Sequence, residues 1–293
     1  MAGLKEIRTR IATVKTTRQV TSAMKMVSAA RLKKAQDAIL QIRPYAEKLH
    51  QILGTLGSSL ENAENSVFTL PRNPEKVLII IVSSNRGLCG SFNSNITRKA
   101  IDLAKSKYAE QLSKKKVEFL AIGKQGGRQL KHSRFSVSEI ITDMFENLSF
   151  EKVSTVVADL MNKYLAGNYD CIELVYNQFK NAAVQIQTTE KFLPVEIPAS
   201  REKKKTNYNF IYEPSEEYII KELIPRSLKI QFYKAMLDSN AAEQGARMTA
   251  MHQATDNATE LLRDLTLQYN KARQANITRE ILEITSGAEA LRG

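Results

Sequence analysis

Ser83-Ser-Asn-Arg-Gly-Leu-Cys-Gly-Ser-Phe-Asn93 is the stretch of this chain best placed to do chemistry. It follows an apolar run directly, where an α/β protein binds phosphate with backbone amides at a helix N-terminus. The stretch has neither the G-x-G-x-x-G pattern nor the Lys-Ser/Thr of a P-loop, and no acidic residue marks a ribose site. A turn that packs helix on strand, or meets a partner, is the expected role. Gly123, Gly126 and Gly127 form a second, weaker cluster with the same expectation. The three histidines, His50, His132 and His252, are scattered and lack metal-ligand spacing. Cys89 and Cys171 sit in no pairing motif and near no histidine cluster, so reduced thiols are expected. No Ser-His-Asp or Cys-His arrangement is suggested by position. The chain carries no cofactor or metal signature and does not read as an enzyme.

Charge gives a stronger signal. The net charge is +12, and residues 1–34 hold nine basic side chains (Lys5, Arg8, Arg10, Lys15, Arg18, Lys25, Arg31, Lys33, Lys34) against Glu6, or +8 of it. From residue 226 onward the balance is nearly even, nine basic to eight acidic. A basic end implies an acidic partner, whether nucleic acid, lipid headgroups or a protein surface. With 43% hydrophobic and 25% charged residues the composition is that of a soluble protein. No apolar run approaches the roughly 20 residues needed to cross a bilayer. MAGLKEIRTR lacks the apolar core of a secretory signal, which predicts a protein on the cytosolic side.

The elements that must position these residues are unusual in length. Residues 226–286 contain no proline and only one glycine, Gly245. As one helix they would span roughly 90 Å, against about 50 Å for a compact globule of this size. The seam of that helix reads Leu237, Ala241, Gln244, Met248, Met251, Thr255, Ala258, Leu262, Leu265, Tyr269 and Ala272. Near the end it shifts to Ile277, Ile281, Ile284, Ala288 and Leu291, an apolar tip that predicts a socket in another protein. The partner along the rest is the opposite end of the chain. Leu4, Ile7, Ile11 and Val14 start a seam that Arg18, Thr21, Lys25 and Ser28 continue, while Val20, Met24 and Val27 move to a neighbouring stripe. Beyond it the expected seam is Ala35, Ala38, Ile42, Tyr45, Leu49, Ile52 and Leu56. This predicts one helix over 4–56, bent at Pro44 and ended by Gly54 and Gly57.

Between the helices the period changes. VLIIIV at 77–82 and VEFLAI at 117–122 read as buried strands, 93–107 and 151–165 as helices. Residues 171–179 and 183–189 read as a hairpin turned at Lys180-Asn181, and 194–214 as a polar linker. The expected fold is α/β plus a long antiparallel coiled coil: the N- and C-terminal helices form a shaft, and a central Rossmann-like, mostly parallel sheet forms a domain of its own. The expected divisions are 1–57 (N-terminal helix), 58–74 (linker), 75–193 (α/β domain), 194–212 (linker) and 213–293 (C-terminal helix).

The chain resembles the gamma subunit of F-type ATP synthases, of bacterial type, from end to end. Met1-Ala-Gly-Leu-Lys-Glu-Ile-Arg8 and Thr21-Ser-Ala-Met-Lys-Met-Val27 match the opening helix of that family, and Arg86-Gly-Leu-Cys-Gly90 its central loop. The strongest match is Asn270-Lys-Ala-Arg-Gln-Ala-Asn-Ile-Thr278, followed by Glu280, Glu283-Ile284 and Gly287-Ala288. The resemblance implies a non-catalytic rotor shaft that couples ion flow through a membrane ring of c subunits to ATP synthesis or hydrolysis. Its implied partners are the alpha and beta subunits of the catalytic ring, the epsilon subunit and the c ring, with ATP and ADP bound by partners only. Met24, Lys25, Arg273, Gln274, Ile281, Ile284 and Leu291 match ring-contact positions, and Tyr212 and Glu213 the foot above the membrane ring. The implied location is the cytoplasmic face of the bacterial inner membrane, reached only through partners. The chain lacks the inserted cysteine pair of redox-regulated chloroplast members, so thiol switching is not implied. An alternative is a basic coiled-coil nucleic-acid binder, whose binding to duplex DNA would weaken with salt. That alternative leaves the C-terminal segment without a role.

Overall fold

VLIIIV becomes β1 (Val77–Val82), buried along its whole length, and everything else in the α/β part is arranged around it. The computed structural model describes residues 3–59, 68–70, 72–145, 148–195 and 216–291. In chain order the elements are α1 (Leu4–Ser59), β1, α2 (Phe92–Lys107), α3 (Ala109–Ser113), β2 (Val117–Ile122) and α4 (Lys124–His132). They continue with β3 (Val137–Ile141), a 3-10 turn at Asp143–Phe145, α5 (Phe150–Leu165), β4 (Cys171–Phe179), β5 (Gln185–Leu193) and α6 (Glu216–Ala290). The sheet order is β3-β2-β1-β4-β5. β1 runs parallel to β2 and β4, β2 parallel to β3, and β5 alone is antiparallel. That is the mostly parallel, Rossmann-like sheet with an antiparallel edge that the sequence predicts.

Alternation along β1 builds a core on each face, because successive side chains of a strand point to opposite sides. Val77, Ile79 and Ile81 pack with Ile96, Ala100 and Ala104 of α2 and Leu130 of α4. Leu78, Ile80 and Val82 pack with Val153, Val157 and Leu160 of α5, with Leu53 of α1, and with Ile224, Leu228 and Phe232 of α6.

The chain groups into two compact units, Ala29–Arg247 and Met1–Ser28 with Met248–Gly293. Each holds a segment of both long helices. In the first, Leu53 shares a cluster with Ile224 and Leu228, and Arg43 pairs with Asp238, so α1 and α6 run antiparallel.

Several boundaries differ from expectation. α1 runs through Gly54 and Gly57 to Ser59. A mid-helix glycine costs about 1 kcal/mol, too little to end a helix already propagated over fifty residues and docked at Leu53. Within the expected 213–293, α6 runs from Glu216 and carries Pro225 inside it, between the buried Ile224 and Leu228. The seam of α1 beyond Ser28 passes through Leu32, Ala35, Ile39, Leu49 and Leu53, all buried, whereas Tyr45 and Ile52 are exposed. The alternating three- and four-residue step therefore continues unbroken from Ile7; the expected seam slipped by one residue at Ala38. β5 begins later than 183 and extends to Leu193. The cause is a wider turn: Asn181 Oδ1 accepts from the amides of Ala183 and Val184 at 3.0 and 2.7 Å. α3, α4 and β3 were not foreseen, and most of the expected 194–214 linker lies outside the described residues.

Candidate functional site

The smaller unit is a two-helix coil whose seam is polar at its centre. Ile7, Thr21 and Ser28 of α1 are buried, as are Met251, Ala258 and Leu265 of α6. Val20 and Val27 are left 51% and 52% exposed, so the α1 seam does carry small polar residues in place of its valines. The hydroxyls of Thr21 and Thr255 share a hydrogen bond at 2.9 Å, which fixes the pairing. Since the helices are antiparallel, the 17 residues from Thr21 back to Leu4 match the 17 from Thr255 on to Ala272. Beyond that level α6 has no α1 to lie against. Asn276 is the last half-buried position, and Ile277, Ile281, Ile284 and Leu291 are 45%, 55%, 71% and 91% exposed. A lone helix of this length is marginal in water, so an apolar face here lacks the packing that would hold it.

The residues expected to contact partners are strung along this coil. Met24 and Lys25 are half-buried on α1, while Arg273 and Gln274 are exposed on α6. By the Thr21–Thr255 pairing Lys25 lies level with Met251, and the 22 residues from there to Arg273 span about 33 Å. They form an extended surface, not a pocket. Neither Lys25 nor Arg273 has an ion-pair partner among the described residues. Tyr212 and Glu213 lie outside the described residues. Leu282, 59% exposed, joins the apolar tip and was missed because it falls off the strict seam. Among the described residues no group of His, Cys, Asp or Glu could hold a metal, and no helix is long and apolar enough to cross a membrane.

The loop after β1 is filled from within its own unit. Ser84 donates its amide to Asn93 Oδ1 at 2.9 Å and its hydroxyl to the Arg86 carbonyl at 2.6 Å. Asn93 Nδ2 donates to Ser84 Oγ and Cys89 Sγ at 2.8 and 3.2 Å. Arg247 of α6 donates through Nη2 to the carbonyls of Arg86 and Gly87 at 3.3 and 3.4 Å. A phosphate cradle points amides inward; this loop points carbonyls at an internal guanidinium. Arg247 is itself paired with Glu243 at 2.8 Å, both more than nine-tenths buried. Burial pushes the Glu243 carboxyl up, with Arg247 pulling it back. The i, i+4 spacing of these two within a run of small residues was the sequence signal for this brace. Gly123 and Gly126 serve packing: a Cβ on Gly123 would stand 2.1 Å from the Ser83 carbonyl oxygen, and one on Gly126 2.6 Å from Ser83 Oγ.

A family model described as ATP synthase matches residues 3–291. The chain is 54% identical to the ATP synthase gamma chain of Flavobacterium johnsoniae, with 100% of each chain covered. It is 50% identical to that of Cytophaga hutchinsonii, with 99% of each covered. Among solved structures it resembles a chain in the rotor of the Euglena gracilis mitochondrial ATP synthase, with a TM-score of 0.66 at 19% identity over 94% of this chain and 98% of that one. It also resembles one in the Tetrahymena thermophila mitochondrial ATP synthase central stalk and c-ring, with a TM-score of 0.60 at 24% identity over 80% and 99%. The last two establish likeness of fold.

Proposed function

The chain belongs to the family of ATP synthase gamma chains, and on that footing we propose that it is the central rotor shaft of an F-type ATP synthase. It has no catalytic role of its own. The coil turns inside a ring of alpha and beta subunits, and ion flow through a membrane ring of c subunits drives it during synthesis. Because the surface of the coil differs from side to side, rotation presents each catalytic site with different contacts, and differential contact free energy shifts its conformational equilibrium. The shaft is 1–57 with 213–293, and the body 75–193 is joined to it through 58–74 and 194–212. The body stands beside the epsilon subunit, with the foot at Tyr212 and Glu213 toward the c ring.

The observation that carries this reading is the α6 tip, which outruns α1 and leaves Ile281, Ile284 and Leu291 uncovered. These residues sit in the bearing of the ring, and Met24, Lys25, Arg273 and Gln274 meet the catalytic subunits lower down. The complex lies on the cytoplasmic face of a bacterial inner membrane, and this chain reaches that membrane only through its partners. Reconstitution tests the proposal: mixed with ring subunits the chain restores ATP-driven rotation, and alone it hydrolyses nothing. ATPase activity intrinsic to the purified chain overturns it.

A further inference from the structure

α6 supplies a buried carboxylate at the point where α1 loses a backbone donor. Pro44 lies inside α1 and removes one hydrogen bond from its ladder. Its two neighbours both reach α6. Arg43 Nη2 stands 3.6 Å from Asp238 Oδ1, and the Arg226 guanidinium lies over the Tyr45 ring, 5.9 Å from its centroid. Asp238 is fully buried, and neither of its carboxylate oxygens has a hydrogen bond among the described residues. The charged and titratable groups facing it are Arg43 from α1, Lys234 from α6, Glu190 from β5 and Tyr176 from β4. Glu190 is engaged elsewhere, accepting from the Tyr176 hydroxyl at 2.6 Å and from Gln231 Nε2 at 3.0 Å. Arg43 is thus the one cation within ion-pair distance of Asp238 among the described residues. A buried carboxylate without hydrogen bonds destabilises a fold, and an apolar residue would pack there at lower cost. What the charge can give in return is a fixed position for Arg43.

We infer that Arg43 and Asp238 are a positioning pair: their attraction holds α1 in register with α6 at Pro44, so that torque passes through both helices instead of being lost in slip at the proline. The inference rests on the rotor reading above. It has a signature that plain structural support lacks, because stability and coupling respond to the charge in opposite directions. Burial raises the carboxyl of Asp238 above its ordinary range. A carboxyl with a raised folded-state pKa costs stability when ionised, so acidification relieves the fold while it releases Arg43.

The test compares Arg43→Met, Arg43→Lys and Asp238→Asn in the full reconstituted complex, reading protons pumped per ATP hydrolysed. Arg43→Met and Asp238→Asn are both expected to lower that ratio below the native value, because each breaks the pair. Arg43→Lys keeps most of it. Asp238→Asn is also expected to flatten the fall in the ratio that the pair predicts for the native chain on acidification, and the isolated variant to melt no lower than the native chain at neutral pH. Native coupling in the Asp238→Asn complex overturns the inference. If the native complex itself fails to pump, the rotor reading fails, and the pair is judged on the isolated full chain by a double-mutant cycle in urea. Non-additivity there sustains the pair, and additive effects of Arg43→Met and Asp238→Asn overturn it.

Discussion

Truncating Ile284 to alanine separates a tip that seats in a partner from one that merely ends a coil. The side chain is 71% exposed in the chain alone. Alanine removes three carbons, worth about 0.8 kcal/mol each when fully buried. Scaled by the exposed fraction, seating this residue in a partner contributes about 1.7 kcal/mol. That is roughly a twentyfold change in affinity. Nothing in the chain itself depends on those carbons, and alanine is the better helix former, so unfolding should move by less than about 0.5 kcal/mol. Leu265, 6% exposed on the seam, is the control: Leu265→Ala costs about 2–5 kcal/mol of stability. Urea unfolding of the isolated chain gives the first quantity, and retention on immobilised alpha and beta ring subunits gives the second. An Ile284→Ala chain that unfolds normally and binds as tightly as the native one refutes the seating of the tip. One that loses stability as Leu265→Ala does shows that the tip packs within its own chain.

Charge reversal at Lys25 or Arg273 should reduce ATP-driven rotation while shifting the thermal midpoint little, since neither makes an ion pair among the described residues. A variant that merely unfolds contradicts the contact role. Gly126→Ala places a Cβ 2.6 Å from Ser83 Oγ and 2.7 Å from Ile81 Cδ1, and should cost about 1–3 kcal/mol by urea titration. Gly87→Ala, with nothing within 4 Å of the added carbon, should be nearly neutral in the same assay. Burial pushes both the Cys89 and Cys171 thiols up, so less thiolate is present at neutral pH than on an exposed cysteine. Both should resist alkylation in the folded chain and react on unfolding, and rapid labelling of either in the native state contradicts the burial.

The fold was legible where burial and local pattern agree. β1, β2 and β4 begin and end where the sequence predicts them, and β1 most plainly, because a strand buried on both faces needs no alternation to mark it. β3 was invisible because it is an edge strand whose Ser138 and Glu139 face water. α4 was invisible for another reason. KQGGRQLKH contains two of the poorest helix formers, yet Gly126 and Gly127 are needed where the helix meets Ser83 and Ile140, and tertiary contact overrides propensity. The partner surface is legible only in part. A seam shows in sequence as spacing, so the unpaired tip could be read from length alone. The brace of Glu243 and Arg247 shows in sequence only as an i, i+4 spacing, and the carboxylate of Asp238 not at all, since a charge inside a helix pattern looks solvated until the sheet is folded against it.

The polar centre of the coil follows from the same physics. Thr21, Ser28 and Thr255 give less apolar burial than leucines would, so the smaller unit gains less from its own seam. They also allow close approach of the helices and a shared hydrogen bond that sets the register, which a continuous leucine seam would leave open to sliding. A shaft that must keep one rotational alignment under torque gains more from register than from depth of burial. The valines displaced from that seam, Val20 and Val27, are not lost to the function: they stand outward beside Met24 and Lys25. A surrounding subunit that covers them recovers in the assembly the apolar burial that the isolated coil gives up.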